Sequence, residues 1–140
     1  MRGQHVVRVA GVAGLAGVSV LHAVWATGSP WPARSAHDLA EAVVGQADAV
    51  PGAFPTALVA AGTAGAGLLA AGAFGGGSLQ RGGVRLVAAL FGLRAALGGE
   101  VALTVLKLPP AGPRFRTLDR RYYRPAAAAL GAVLCFSTLP

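Results

Sequence analysis

Two stretches without a fixed charge constrain this chain more than any other feature. Val9 to Ala33 holds no ionisable side chain except His22, and Ala49 to Gln80 holds none. A helix needs roughly 20 predominantly apolar residues to cross the hydrocarbon of a bilayer. Both stretches exceed that, so an integral, multi-pass protein of the cell membrane is expected. Composition agrees: 54% of residues are hydrophobic and 12% charged, against about 25% charged in soluble domains. The bias to Ala, Val and Gly also suits a GC-rich bacterial genome, so run length carries the argument.

Spans are expected at about 6–27, 54–76, 84–106 and 122–140, within a single transmembrane domain. The fold class is therefore all-α: an integral membrane four-helix bundle with a short interfacial amphipathic helix between spans I and II. Arg2 and Arg8 before the first run resemble the start of a signal peptide. The run is too long for one, lacks a small-x-small cleavage site and is followed by further spans, so it is read as retained. Ala10/Gly14 and Ala13/Gly17 in span I, and Ala57, Ala61 and Gly65 in span II, form small-residue stripes that let membrane helices approach closely. Gly28-Ser29-Pro30 ends span I, because proline cannot continue the ladder. Ser35 to Val44 reads as the interfacial helix, with Ser35 as N-cap and Asp38 three residues on. Its apolar side, Leu39, Ala42 and Val43, faces the bundle or the membrane surface. Gly75 to Ser78 and Arg81 to Gly83 read as a flexible turn; no GK[ST] follows, so no phosphate loop is indicated. Span III carries Arg94 and Glu100, which on a continuous helix stand about 120° apart and must find separate partners. Pro125 falls in the first turn of span IV, where its missing N–H costs nothing.

Four spans place connections I–II and III–IV on one face. His22 and Glu100 then lie roughly 8–9 Å below that face, with Trp25, Trp31, Asp119, Tyr122 and Tyr123 at its rim. Ionisable residues within spans are costly and mark function by default. His22, Glu100 and Asp119 are the candidate catalytic residues; Trp25, Trp31, Arg94, Tyr122 and Tyr123 are the candidate ligand-binding residues. For His22, acid–base work with Glu100 or Asp119 competes with an interfacial histidine bonded to a backbone carbonyl. Arg94 either ties helices together through carbonyls, snorkels, or binds an anion. The tryptophans and tyrosines form an aromatic belt before they form a ligand box.

Other chemistries find little support. The lone Cys135 leaves no disulfide or thiolate metal site. His37 and Glu41, one helical turn apart, are too few for a metal. A haem held within one chain would need a second histidine in a span. No metal or cofactor is expected. Net charge is +7, with six of the twelve basic residues between Lys107 and Arg124. No aromatic and basic domain remains for nucleic acid, so these residues are expected to meet lipid headgroups. Seven basic residues near the His22 face against four opposite favour a cytoplasmic His22 face, while Arg2 and Arg8 favour the reverse.

His22-Ala23-Val24-Trp25 with Trp31-Pro32, Leu39 to Gly45, and Phe115 to Pro125 around Leu118-Asp119 and Tyr123 resemble a family of small bacterial membrane proteins catalogued as domain of unknown function 3995. The resemblance covers nearly the whole chain. It implies four transmembrane helices and a bacterial, often actinobacterial, origin, and carries no activity or site residues. Two classes of function follow from the residues. The first is a non-enzymatic bundle associating with itself or with a membrane protein partner in the lipid bilayer. The second is a membrane enzyme or ligand-binding protein for a lipid-like or isoprenoid molecule at the His22/Glu100/Asp119 rim. Ion passage is disfavoured because spans II and IV offer no polar path.

Overall fold

Glycines and prolines decide where the apolar sequence breaks into helices. A computed structural model describes residues 2–105, Lys107 and residues 109–139. Among these residues the secondary structure is entirely helical. Helix α1 (Arg2–Ala26) runs through the first apolar stretch and stops at Gly28, whose φ of +86° suits glycine. Helix α2 (Ala36–Val43) begins where the sequence predicts, with Ser35 Oγ accepting the Asp38 N–H at 3.0 Å. Leu39 and Ala40 are its buried residues.

Helix α3 (Ala53–Ala71) ends at left-handed Gly72, short of the predicted Gly76. Helix α4 (Ser78–Leu97) starts earlier than predicted and takes Arg81, Gly82 and Gly83 into its first turns. The expected flexible turn is therefore confined to the residues before Ser78.

The largest departure follows Leu97. Gly98 takes φ +77° and ψ 172°, a conformation open essentially to glycine alone, and the chain turns by 94° into α5 (Gly99–Val105). The predicted span 84–106 is therefore two helices. Leu106 and Leu108 lie outside the described residues. Helix α6 (Pro113–Leu118) continues through a π-helical turn (Asp119–Tyr123) into α7 (Arg124–Phe136). Pro125 supplies a reason for the wide turn. It has no N–H for the Arg121 carbonyl, and its ring would crowd that oxygen in a regular α-helix.

Two helices are each long and apolar enough to cross a membrane, at Gly3–Ala26 and Ala53–Ala71. The bent pair α4 and α5 passes that test only together, giving at most three such elements rather than four. The fourth predicted span falls short because α7 has 13 residues, about 20 Å of helix, and basic residues precede it.

Helix α1 packs chiefly on α3, and α4 on α7; narrower α1–α7 and α3–α4 seams join the two pairs. Leu15 and Leu134 are fully buried, with Ala70, Val84 and Ala88 around them. A Cβ on Gly131 would lie 3.0 Å from the Ala88 oxygen and 3.1 Å from the Gly92 nitrogen, so α7 meets α4 backbone to backbone. A second cluster of Leu103, Ala111 and Phe115, flanked by Val44 and Tyr123, lies at the His22 end.

Candidate functional site

Between these two clusters the α1–α7 seam opens into a cleft of about 680 Å³. Ala10, Gly14, Val18 and Leu21 form one wall, and Ala126, Ala129, Leu130 and Val133 the other. The small residues of α1 set this width. Gly14 lets Leu130 approach so closely that a Cβ would lie 2.9 Å from it, while the alanines opposite leave room. At one end the lining changes character to His22, Trp25, Arg94, Gly99, Phe115 and Tyr123.

The polar end is built on the break at Gly98. A helix that stops within a fold exposes unpaired carbonyls, and one that starts exposes unpaired N–H groups. The rest of the chain supplies both partners. Arg124 donates from Nε to the Ala95 oxygen and from Nη2 to the Ala96 oxygen, each at 2.7 Å, capping the end of α4. Asp119 accepts the Gly99 N–H on Oδ2 at 3.1 Å, capping the start of α5, and accepts Arg94 Nη2 on Oδ1. Asp119 is 5% exposed, so this carboxylate sits out of water between a guanidinium and a peptide N–H. The ladder bond of the π turn, from the Arg124 N–H to the Asp119 oxygen, ties both capping residues to one wide turn. Arg94 Nη1 is buried and has no hydrogen-bond acceptor among the described residues.

His22 Nδ1 lies 2.8 Å from the Val18 oxygen. A carbonyl only accepts, so Nδ1 donates, and in the neutral ring Nε2 is left as an acceptor. The imidazole packs against Trp25 with centroids 4.9 Å apart, and Trp25 Nε1 donates to the Trp31 oxygen at 2.7 Å. Tyr123 donates its hydroxyl to the Ala42 oxygen at 3.1 Å, joining α2 to the π turn.

The two connections also clasp each other. The Gly112 N–H donates to the Gly45 oxygen at 2.7 Å, Gln46 to the Pro110 oxygen at 2.8 Å, and Arg114 to Glu41 at 3.0 Å. The Glu41 hydrogen bond, with Asp38 nearby, raises the Arg114 pKa above its ordinary value. A raised pKa contributes below the unfolded value and is lost only above it, so this clasp keeps its guanidinium charge throughout neutral pH.

The structure therefore brings His22, Trp25, Arg94 and Tyr123 to one cleft, with Asp119 holding Arg94. Glu100 is not on that cleft. The turn at Gly98 carries it outward, where it accepts Arg116 Nε at 2.8 Å and both side chains are 45% exposed. The predicted convergence of Glu100 with His22 assumed a straight helix. Trp31 is exposed and contributes only its carbonyl, and Tyr122 lies outside beneath Arg121. Gly98, Gly99, Phe115 and Arg124 were not among the predicted site residues. The Gly98-Gly99 pair, a recurrent place for helix kinks, was the available signal. Among the described residues no group of three His, Cys, Asp or Glu side chains is placed to hold a metal ion.

Fold and site together define a small protein, all-helical in its described residues, with helices apolar enough for a membrane and an apolar cleft ended by the part-buried Arg94–Asp119 ion pair. The chain belongs to the family described as "Protein of unknown function (DUF3995)", whose model matches residues 15–134. No curated protein and no solved structure matches it.

Proposed function

We propose that the protein is a multi-pass membrane bundle whose α1–α7 cleft takes the apolar chain of a lipid-like ligand. Its outer surface supports the membrane setting. Phe54, Leu58 and Leu68 on α3, and Leu79, Leu86, Leu90 and Leu93 on α4, are all exposed. Much of the interior is Ala and Gly, and many large apolar side chains point outward, which suits hydrocarbon rather than water. The 20 residues of α4 alone make about 30 Å of helix, close to the hydrocarbon thickness. On this reading α1, α3 and α4 cross, α7 crosses together with the π turn that runs into it (Asp119–Phe136), the break at Gly98 falls at the interface, and α2, α5 and α6 lie along one face.

The observation that carries the ligand reading is the cleft itself. Its 680 Å³ falls within the range of roughly 300–1,000 Å³ typical of small-molecule sites. From Ala10 to Trp25 it follows α1 for about 22 Å, the reach of a long acyl chain. Native mass spectrometry of protein released from a mild detergent should reveal a bound species of lipid mass. Ala129→Trp, which fills the cleft, should lose that species while keeping its helical circular dichroism. Equal retention by both proteins would overturn the reading.

A second reading, association with another copy, rests on the part of the small-residue stripe that α7 does not cover. Ala13, Ala16 and Gly17 are exposed, and nothing lies within 4 Å of a Cβ on Gly17. Ala13→Cys in a Cys135→Ser background should form a disulfide-linked dimer that Gly17→Leu abolishes; monomer throughout would remove it.

A further inference from the structure

We infer that the ligand of this cleft is an amphiphile whose head is an anionic oxygen group, received by the free Nη1 of Arg94. The inference rests on the cleft being a lipid site and adds the chemistry of the head. A buried guanidinium N–H without an acceptor costs free energy comparable to a lost hydrogen bond. Arg94 Nη1 is such a group, while Nη2 of the same side chain is held by Asp119. The salt bridge thus fixes the guanidinium and leaves its other branch without an acceptor, on a side chain that lines the cleft.

The local charge selects the sign of that ligand. A Cβ on Gly98 would sit 3.2 Å from Asp119 Oδ2 and 3.7 Å from Arg124 Nη1, so Arg94, Asp119 and Arg124 surround one point of the chain. Two guanidiniums against one carboxylate leave a single positive charge. The other acid nearby, Glu100, is neutralised by Arg116. Two of the three Arg124 nitrogens are bonded to backbone oxygens, whereas Arg94 holds the buried guanidinium nitrogen that has no acceptor among the described residues. A charge-assisted bond to carboxylate or phosphate is about twice as strong as one to a neutral acceptor.

Three probes with the same sixteen-carbon tail test the head: palmitate, hexadecyl phosphate and hexadecanol, titrated at pH 8.5 against protein in nanodiscs of neutral lipid. The expected result is at least tenfold tighter binding of one or both anions than of the alcohol. A preference for phosphate over carboxylate, or the reverse, identifies the source of the head. Arg94→Lys keeps a cation for Asp119 but has no second branch, and should cut the preference to less than threefold. Equal binding of all three probes to the unaltered protein, or an unchanged preference in Arg94→Lys, would overturn the head assignment and leave the cleft standing. Failure of every probe to bind, with no difference between the parent and Ala129→Trp, would overturn the cleft reading and this inference with it.

Discussion

Replacing Asp119 by Asn changes charge with almost no change in shape, at the residue on which the break in α4 depends. Asp119 accepts from Arg94 with one oxygen and from the Gly99 N–H with the other. An amide offers one acceptor and one NH2, so in either orientation a donor faces a donor. Removing one partner of a buried ion pair costs about 3–5 kcal/mol. The Arg94 side chain is 33% exposed and regains some hydration, so the lower end, about 3 kcal/mol, is expected. At roughly 3–4 °C per kcal/mol for a chain of this size, that is a fall in Tm of about 10 °C. Thermal unfolding in a fixed detergent, followed by circular dichroism, measures it. The double variant Arg94→Leu/Asp119→Leu should be more stable than Asp119→Leu alone, because no buried charge is then left unpaired. The reasoning fails if Asp119→Asn unfolds within 1 °C of the parent, or if the double variant loses the sum of the two single losses.

Other outcomes follow from the same geometry. A Cβ on Gly99 would run into the Phe115 ring, so Gly99→Ala should lower stability by about 1–3 kcal/mol; Gly92→Ala, with open space around its Cβ, should raise it by about 0.5–1 kcal/mol. Both are read as shifts in Tm, and equal effects would contradict the placement of α5. Tyr123→Phe removes the hydroxyl bond to Ala42 and should cost about 1 kcal/mol; hydrogen exchange of α2 should quicken while α3 is unchanged. In a Cys135→Ala background, Glu41→Cys and Glu100→Cys should react with an impermeant maleimide from the same side of the membrane, and Gly76→Cys from the other. Labelling of Glu100→Cys from the Gly76 side would contradict the proposed topology.

The helical character of the chain was legible in residues 9–33 and 49–80, because a long apolar run without charges has few alternatives to a helix. The Ser35 cap was equally legible, since a hydroxyl three residues ahead of an N–H is a local device. Legibility ended where a backbone choice depended on distant partners. Arg94 and Glu100 invite measurement of an angle round one helix, and that angle has no meaning once Gly98 turns the chain. Gly98 permits such a turn but does not compel it. The turn is held by Arg124 and Asp119, which satisfy the two exposed helix ends from a segment twenty or more residues away.

By itself, then, the sequence determined that the chain forms apolar helices, and where the short helix after the first of them is capped. Those properties follow from hydropathy, period and local hydrogen bonding, which act over a few residues. Only the tertiary structure decided which polar residues share a site. It separated Glu100 from His22, placed Asp119 behind Arg94, and spent half of the α1 glycine stripe on Leu130 and Leu134. The reason is that unpaired backbone groups at a helix break must be satisfied somewhere, and which side chain does so is settled by packing across the bundle.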